Sequence, residues 1–151
     1  MRTKHPGISL LQEIHSQEID VKTWEKEWGG KIIFSHGTTQ CRGVAVLLPQ
    51  NLVEKCKISN IERDQNGRTL TIDWEIEGNN FTMFNIYAPT KDQYREQMQF
   101  VERLRNLLQQ KQGQNQILSG DFTHNWTKKV GSVIQSQTMP NSLNLFVKSL
   151  T

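Results

Sequence analysis

No apolar run in the 151 residues approaches the ~18–20 that a membrane-spanning helix needs. The N-terminus, Met1-Arg2-Thr3-Lys4-His5-Pro6-Gly7, lacks the apolar segment and the small-residue cleavage site of a signal peptide. Two cysteines, Cys41 and Cys56, are too few for a disulfide framework, and nothing marks the chain as secreted. The sequence therefore reads as soluble and intracellular, in nucleus or cytoplasm, with no membrane partner. A strong charge of one sign is also missing. Eighteen Lys and Arg against 15 Asp and Glu leave +3, and the whole excess lies after Asp121, in Lys128, Lys129 and Lys148. Any grip on nucleic acid must be local, because phosphate contacts supply most non-specific affinity. There is no GxGxxG, no Walker loop and no GxSxG, which removes nucleotide cradles and serine hydrolases of those types. Four histidines (5, 15, 36 and 124) without HxxxH spacing, and cysteines without a close partner, argue against a zinc site.

What is present is a chain of one domain's length. Its apolar share of 35% is low. The 39 Leu, Ile, Val and Phe residues still place it above the composition of disordered chains. Ile8 to Gln12 is a short apolar run that fits a strand buried on both faces. His15 to Trp28 is charged and reads as loop with a helical turn or two. Lys31 to His36 and Gly43 to Leu48 read as strands. Leu70, Ile72, Trp74 and Ile76 alternate strictly with polar residues, the period of a half-exposed antiparallel strand. Turns at Asn66-Gly67 and Gly78-Asn79-Asn80 join it to partners near 56–63 and 81–87, making a meander. The period then changes. Tyr94, Met98, Val101, Leu104 and Leu108 mark one stripe of an amphipathic helix, with Thr90 and Gln93 as a capping-box start. Gln116 to Asp121 reads as another short buried strand. Leu143, Leu145, Phe146 and Leu150 suggest a final short helix. Strands outnumber helices and one helix crosses over between strands, a pattern of α+β or layered α/β architecture.

Two carboxylates follow buried strands, Glu13 and Asp121, and strand C-termini are where open α/β sheets place ligands. A hard dication such as Mg²⁺ takes one or two carboxylates together with water and phosphate oxygens. An acid in such a place also serves as a loop cap or a solvated strand end. Tyr87 closes the third meander strand. Its phenol fits either a phosphate-binding donor or a core tyrosine with a satisfied hydroxyl.

In order along the chain, five segments resemble motifs of one family, the endonuclease/exonuclease/phosphatase superfamily. They are Leu11-Gln12-Glu13-Ile14-His15, Arg42-Gly43-Val44-Ala45-Val46-Leu47, Asp64-Gln65-Asn66-Gly67-Arg68, Asn85-Ile86-Tyr87-Ala88-Pro89 and Ser119-Gly120-Asp121-Phe122. Trp28-Gly29-Gly30-Lys31 and Phe34-Ser35-His36-Gly37-Thr38-Thr39 look most like the endonuclease domain of non-LTR retrotransposons, the long interspersed elements. The resemblance spans about residues 8–122, with a weaker tail over 123–151, and covers the chain as a single domain. It implies a four-layered α/β sandwich and a Mg²⁺-dependent DNA endonuclease, with Mn²⁺ as a substitute and backbone contacts of weak sequence preference. It further implies that Glu13 binds the metal, that Tyr87 contacts the scissile phosphate, and that Asp121 orients or deprotonates the attacking water and shares the metal. An intact element would continue into a reverse transcriptase.

The pattern also departs from the family. An Asn-bearing first strand and a late Ser-Asp-His segment are missing, and no Asp follows Asp121. Thr123 and Thr90 stand at substrate-side positions where the family has Asn, and a hydroxyl offers fewer hydrogen bonds than a carboxamide. These departures predict a partial domain with weak or no activity. A non-catalytic remnant of the fold, inert or serving only as a binding surface, is the alternative. A phosphatase or lipid phosphodiesterase of the same superfamily fits the two retrotransposon-like stretches less well.

Overall fold

The computed structural model describes residues 7–38, 40–90, 92–121 and 143–145. Among these residues the first sheet holds three antiparallel strands, β1 (Ser9–Gln12), β2 (Gly30–Ser35) and β3 (Val44–Pro49), in the order β1-β3-β2. A 3-10 turn at Glu18–Asp20 and helix α1 (Val21–Trp28) lie between β1 and β2. The short helix α2 (Gln50–Val53) follows β3. The second sheet is the meander β4 (Cys56–Arg63), β5 (Thr69–Ile76) and β6 (Asn79–Tyr87), extended by β7 (Asn115–Asp121) and β8 (Leu143–Leu145) in sequence order. Helix α3 (Tyr94–Gln110) carries the chain from β6 to β7, which pair in parallel.

Alternation along the strands builds three cores and hence four layers. Ile32, Phe34, Ala45 and Leu47 face Val21, Trp24 and Trp28 of α1. Ile33, Val44, Val46 and Leu48 point the other way and meet Leu70, Ile72, Trp74 and Met83 of the second sheet. On that sheet's far face, Phe84, Ile86 and Leu118 pack under Phe100, Leu104 and Leu108 of α3. β3 is the central strand of its sheet and is buried along its whole length. No helix among the described residues is long and apolar enough to cross a membrane.

Several local expectations need correction. β1 is half-buried throughout rather than buried on both faces, because it is an edge strand. The buried stripe of α3 runs Gln97, Phe100, Leu104 and Leu108, and Tyr94 and Met98 are exposed. The stripe is rotated because Gln97 is drawn inward. Its amide donates to the Thr90 carbonyl at 2.6 Å, so a polar residue occupies the inner face. The capping box does not form, since Gln93 is the N-cap and makes no side-chain cap bond. β5 is not half-exposed, for Thr71 on its polar side is also buried. Leu143–Leu145 is a strand paired in parallel with β7, not the start of a helix.

Candidate active site

At one rim a buried polar side chain joins the two sheets. Phe81, Met83, Asn85 and Tyr87 share the face of β6 that looks toward the first sheet. At the third of these positions a carboxamide replaces an apolar group. Asn85 is fully buried and satisfied: its Nδ2 donates to the carbonyls of Leu11 (3.0 Å) and Ala45 (2.9 Å), and its Oδ1 accepts from Gln12 Nε2 (2.6 Å). A buried amide costs little when each group finds a partner, and here the partners lie on β1 and β3. This fixes β1 against β6 one residue before Glu13 and two before Tyr87.

The parallel register then sets Tyr87 beside Asp121 at the ends of β6 and β7. Gly120 permits this close fit, because a Cβ there would stand 2.1 Å from the Ile86 carbonyl oxygen. From the other sheet, Glu13 reaches the same point, and the Tyr87 hydroxyl donates to Glu13 Oε1. Glu13 and Asp121, with Leu10, Leu11 and Gln12, line a cavity of about 220 Å³. No third His, Cys, Asp or Glu joins them in a cluster among the described residues.

The backbone at this rim is unusual. Of the four non-glycine residues with positive φ among the described residues, three are Glu13 (54°), His15 (48°) and Arg42 (70°). They belong to two loops that are bonded together, Ile14 N–H to the Gly43 carbonyl (3.2 Å) and His15 N–H to the Arg42 carbonyl (3.1 Å). Such conformations cost about 1–3 kcal/mol each and persist where surrounding structure enforces them.

The electrostatics follow from partial burial and from two acids facing one another. Burial, then the charge of Glu13, raises Asp121 above the usual carboxylate range. Tyr87 is pushed up to about 12, first by burial, then by its hydrogen bond to Glu13 and by that carboxylate's charge; Arg68 opposes the shift. The phenol is therefore a neutral donor at any physiological pH. Neither Glu13 nor Asp121 has a cationic partner among the described residues.

Beside Tyr87 lies a group that the motif reading did not single out. Arg68 is buried with its guanidinium carbon 5.5 Å from the Tyr87 ring centroid. Its Nε donates to Glu96 Oε1 at 3.0 Å, its backbone N–H to Asp64 Oδ2 at 3.1 Å, and its carbonyl accepts from Tyr87 N–H at 2.7 Å. Arg68 thus holds the end of β6 in place. The Asp64-to-Arg68 turn contains the signal, since an arginine that closes a hairpin at the start of the largely buried β5 has to find an acid. Thr90 is exposed on the loop before α3, outside the residues lining the Glu13–Asp121 cavity. Thr123 lies outside the described residues.

The described residues share their fold with solved TDP2 chains. The chain superposes on TDP2 from Caenorhabditis elegans with a TM-score of 0.57 at 18% identity, covering 90% of this chain and 54% of that one. A humanized Danio rerio TDP2 gives 0.56 at 19%, covering 90% and 58%. D. rerio TDP2 complexed with a single-strand DNA product gives 0.56 at 20%, covering 83% and 52%. By sequence the chain is 27% identical over 119 residues to the Transposon TX1 uncharacterized 149 kDa protein of Xenopus laevis. It spans 78% of this chain in that match but only 9% of the Xenopus protein, and about half of the TDP2 chains. No family model matches the sequence.

Proposed function

We propose that this chain is a metal-dependent phosphodiester hydrolase that nicks DNA, of the retrotransposon endonuclease type. The observation that carries the reading is the meeting of Glu13, Tyr87 and Asp121 at the ends of three strands from two sheets, in a fold shared with TDP2. The likeness to the TX1 transposon protein supports the element type.

The donor set suits a hard dication. Two carboxylates face one cavity, the charge of one makes ionisation of the other harder, and no lysine or arginine offsets them among the described residues. Glu13 and Asp121 would hold Mg²⁺, or Mn²⁺ in its place, which supplies neutralisation of the charge that develops on the phosphate. Tyr87, protonated, turns its O–H from Glu13 to a non-bridging phosphate oxygen. Asp121 Oδ takes the proton from the attacking water as the water oxygen bonds to phosphorus, the P–O bond to the leaving sugar oxygen breaks, and that oxygen takes a proton from solvent. The Gln12–Asn85 bond holds the residue preceding Glu13, so that both acids keep their separation as substrate enters.

The test is nicking of supercoiled plasmid by the purified chain in MgCl₂, beside its Glu13→Ala variant, with circular dichroism on both. Slow, Mg²⁺-dependent nicking that EDTA stops is expected, falling about 10²–10³-fold in the variant. A folded parent that leaves the plasmid intact would overturn the hydrolase reading and leave the non-catalytic fold.

A further inference from the structure

The acid pair cannot by itself attract a polyanion, and the first 121 residues carry no net charge. A cationic element is nevertheless built into the rim. Glu96, in the first turn of α3, offers one oxygen, Oε1, to two guanidinium groups: Arg68 Nε at 3.0 Å and Arg42 Nη2 at 3.5 Å. One carboxylate between two arginines leaves one positive charge over. The division between them is unequal. Arg68 is 5% exposed at its side chain, takes the shorter contact and is further bound to the Tyr87 carbonyl and the Gln93 side chain. Arg42 has a quarter of its side chain in solvent, and its remaining N–H groups meet no partner among the described residues.

The backbone of Arg42 is meanwhile fixed. It stands in the left-handed region, its carbonyl bonded to His15 two residues past Glu13, with Gly43 N–H bonded to the Gly67 carbonyl behind it. A guanidinium with free donors on a rigid base, sharing Glu96 with the Arg68 that lies over the Tyr87 ring, matches a phosphate oxygen in charge and geometry. We infer that Arg42 forms a phosphate-binding subsite that seats a DNA phosphate next to the scissile one. Glu96 aims its side chain, and buried Arg68 takes up most of that carboxylate, so the excess charge remains with Arg42. This inference rests on the DNA-hydrolase reading and adds to it the residue that positions the strand.

The experiment is binding of a fluorescein-labelled 20-base-pair duplex by anisotropy, in EDTA, across 50–200 mM NaCl. The parent is compared with Arg42→Gln, Arg42→Lys and Arg105→Gln. Arg105 is a control on α3, paired with Glu102 at 2.7 Å and unconnected to the rim. Each phosphate contact contributes about 0.9 to the slope of log K against log salt, so Arg42→Gln is expected to lower the slope by about that amount. Arg42→Lys keeps the slope, and Arg105→Gln leaves it unchanged. Thermal midpoints of the same samples separate loss of contact from loss of fold. An Arg42→Gln slope equal to the parent's, or an equal drop in Arg105→Gln, would overturn the subsite while leaving the hydrolase reading in place. A parent that shows no salt-dependent binding would overturn both together.

Discussion

Asp121→Asn is expected to abolish nicking and, in EDTA, to make the protein more stable. The loss in rate is about 10²–10⁴-fold, the range for removing a proton acceptor or a charge placed for the transition state. The gain in stability follows from the sign of the shift. Asp121 binds its proton more tightly in the folded chain than in the unfolded one, because of burial and the facing charge of Glu13. The folded state is therefore penalised as pH rises from the unfolded pKa through the raised folded one, and the penalty is complete above the folded pKa. Asparagine cannot ionise and escapes it. The variant's thermal midpoint in EDTA is therefore expected to lie above the parent's. The difference between variant and parent should grow from acid to neutral pH. That difference is the quantity to follow, because Asp73, held low by hydrogen bonds from Lys111, Thr82 and Asn60, gives the parent's own curve an opposing slope. Adding Mg²⁺ should narrow the gap, since a ligand bound only by the folded parent stabilises only the parent. A variant that melts below the parent in EDTA would show that the Asp121 carboxylate is structural.

Asn85→Ala is expected to be the most damaging single substitution for the fold. It removes three hydrogen bonds from a fully buried position and strands the Leu11 and Ala45 carbonyls and the Gln12 amide away from their partner. Unsatisfied buried groups cost about 1–3 kcal/mol apiece, and with partial relaxation the total comes to about 3 kcal/mol. That corresponds to a drop of about 6–12 °C in thermal midpoint. A melting temperature within 2 °C of the parent's would mean that water replaces the side chain and that the amide is not what joins the sheets. Asn85→Leu separates the two contributions, for it restores apolar volume but none of the bonds. It should recover less than half of the loss.

The layering was legible because alternation is a local signal. The meander stands where the alternation along 69–77 and its flanking turns put it, and β3 where the apolar stretch Gly43 to Leu48 reads as a strand. Helix α3 was legible in extent, and of its expected stripe Val101, Leu104 and Leu108 face the core, since hydrophobicity cannot register a glutamine that is buried by a hydrogen bond. The end of the chain misled for a related reason. Leu143 and Leu145 fit either period, and their pairing with β7 depends on partners 27 residues away in sequence. The candidate site divides in the same way. Strand ends directed attention to Glu13 and Asp121, and motif resemblance added Tyr87. Asn85 and Arg68 sit inside those same motifs, yet their importance lies in bonds across 19 to 74 residues. No window along the sequence displays such bonds.

The seam between the sheets also has a kinetic side. The meander closes through short turns, and α3 and β7 add to it by a crossover of modest length. The contacts that assemble the rim are of another kind: Gln12 to Asn85 and Glu13 to Tyr87 each span more than 70 residues. Loop-closure entropy is met only once the long segment between such partners is already ordered. Glu13 therefore comes opposite Tyr87 and Asp121 late on the folding path, when the small sheet docks on the large one. Opening that seam would separate the acids while each sheet kept its own ladder, so the proposed site is expected to open more readily than the strands that frame it.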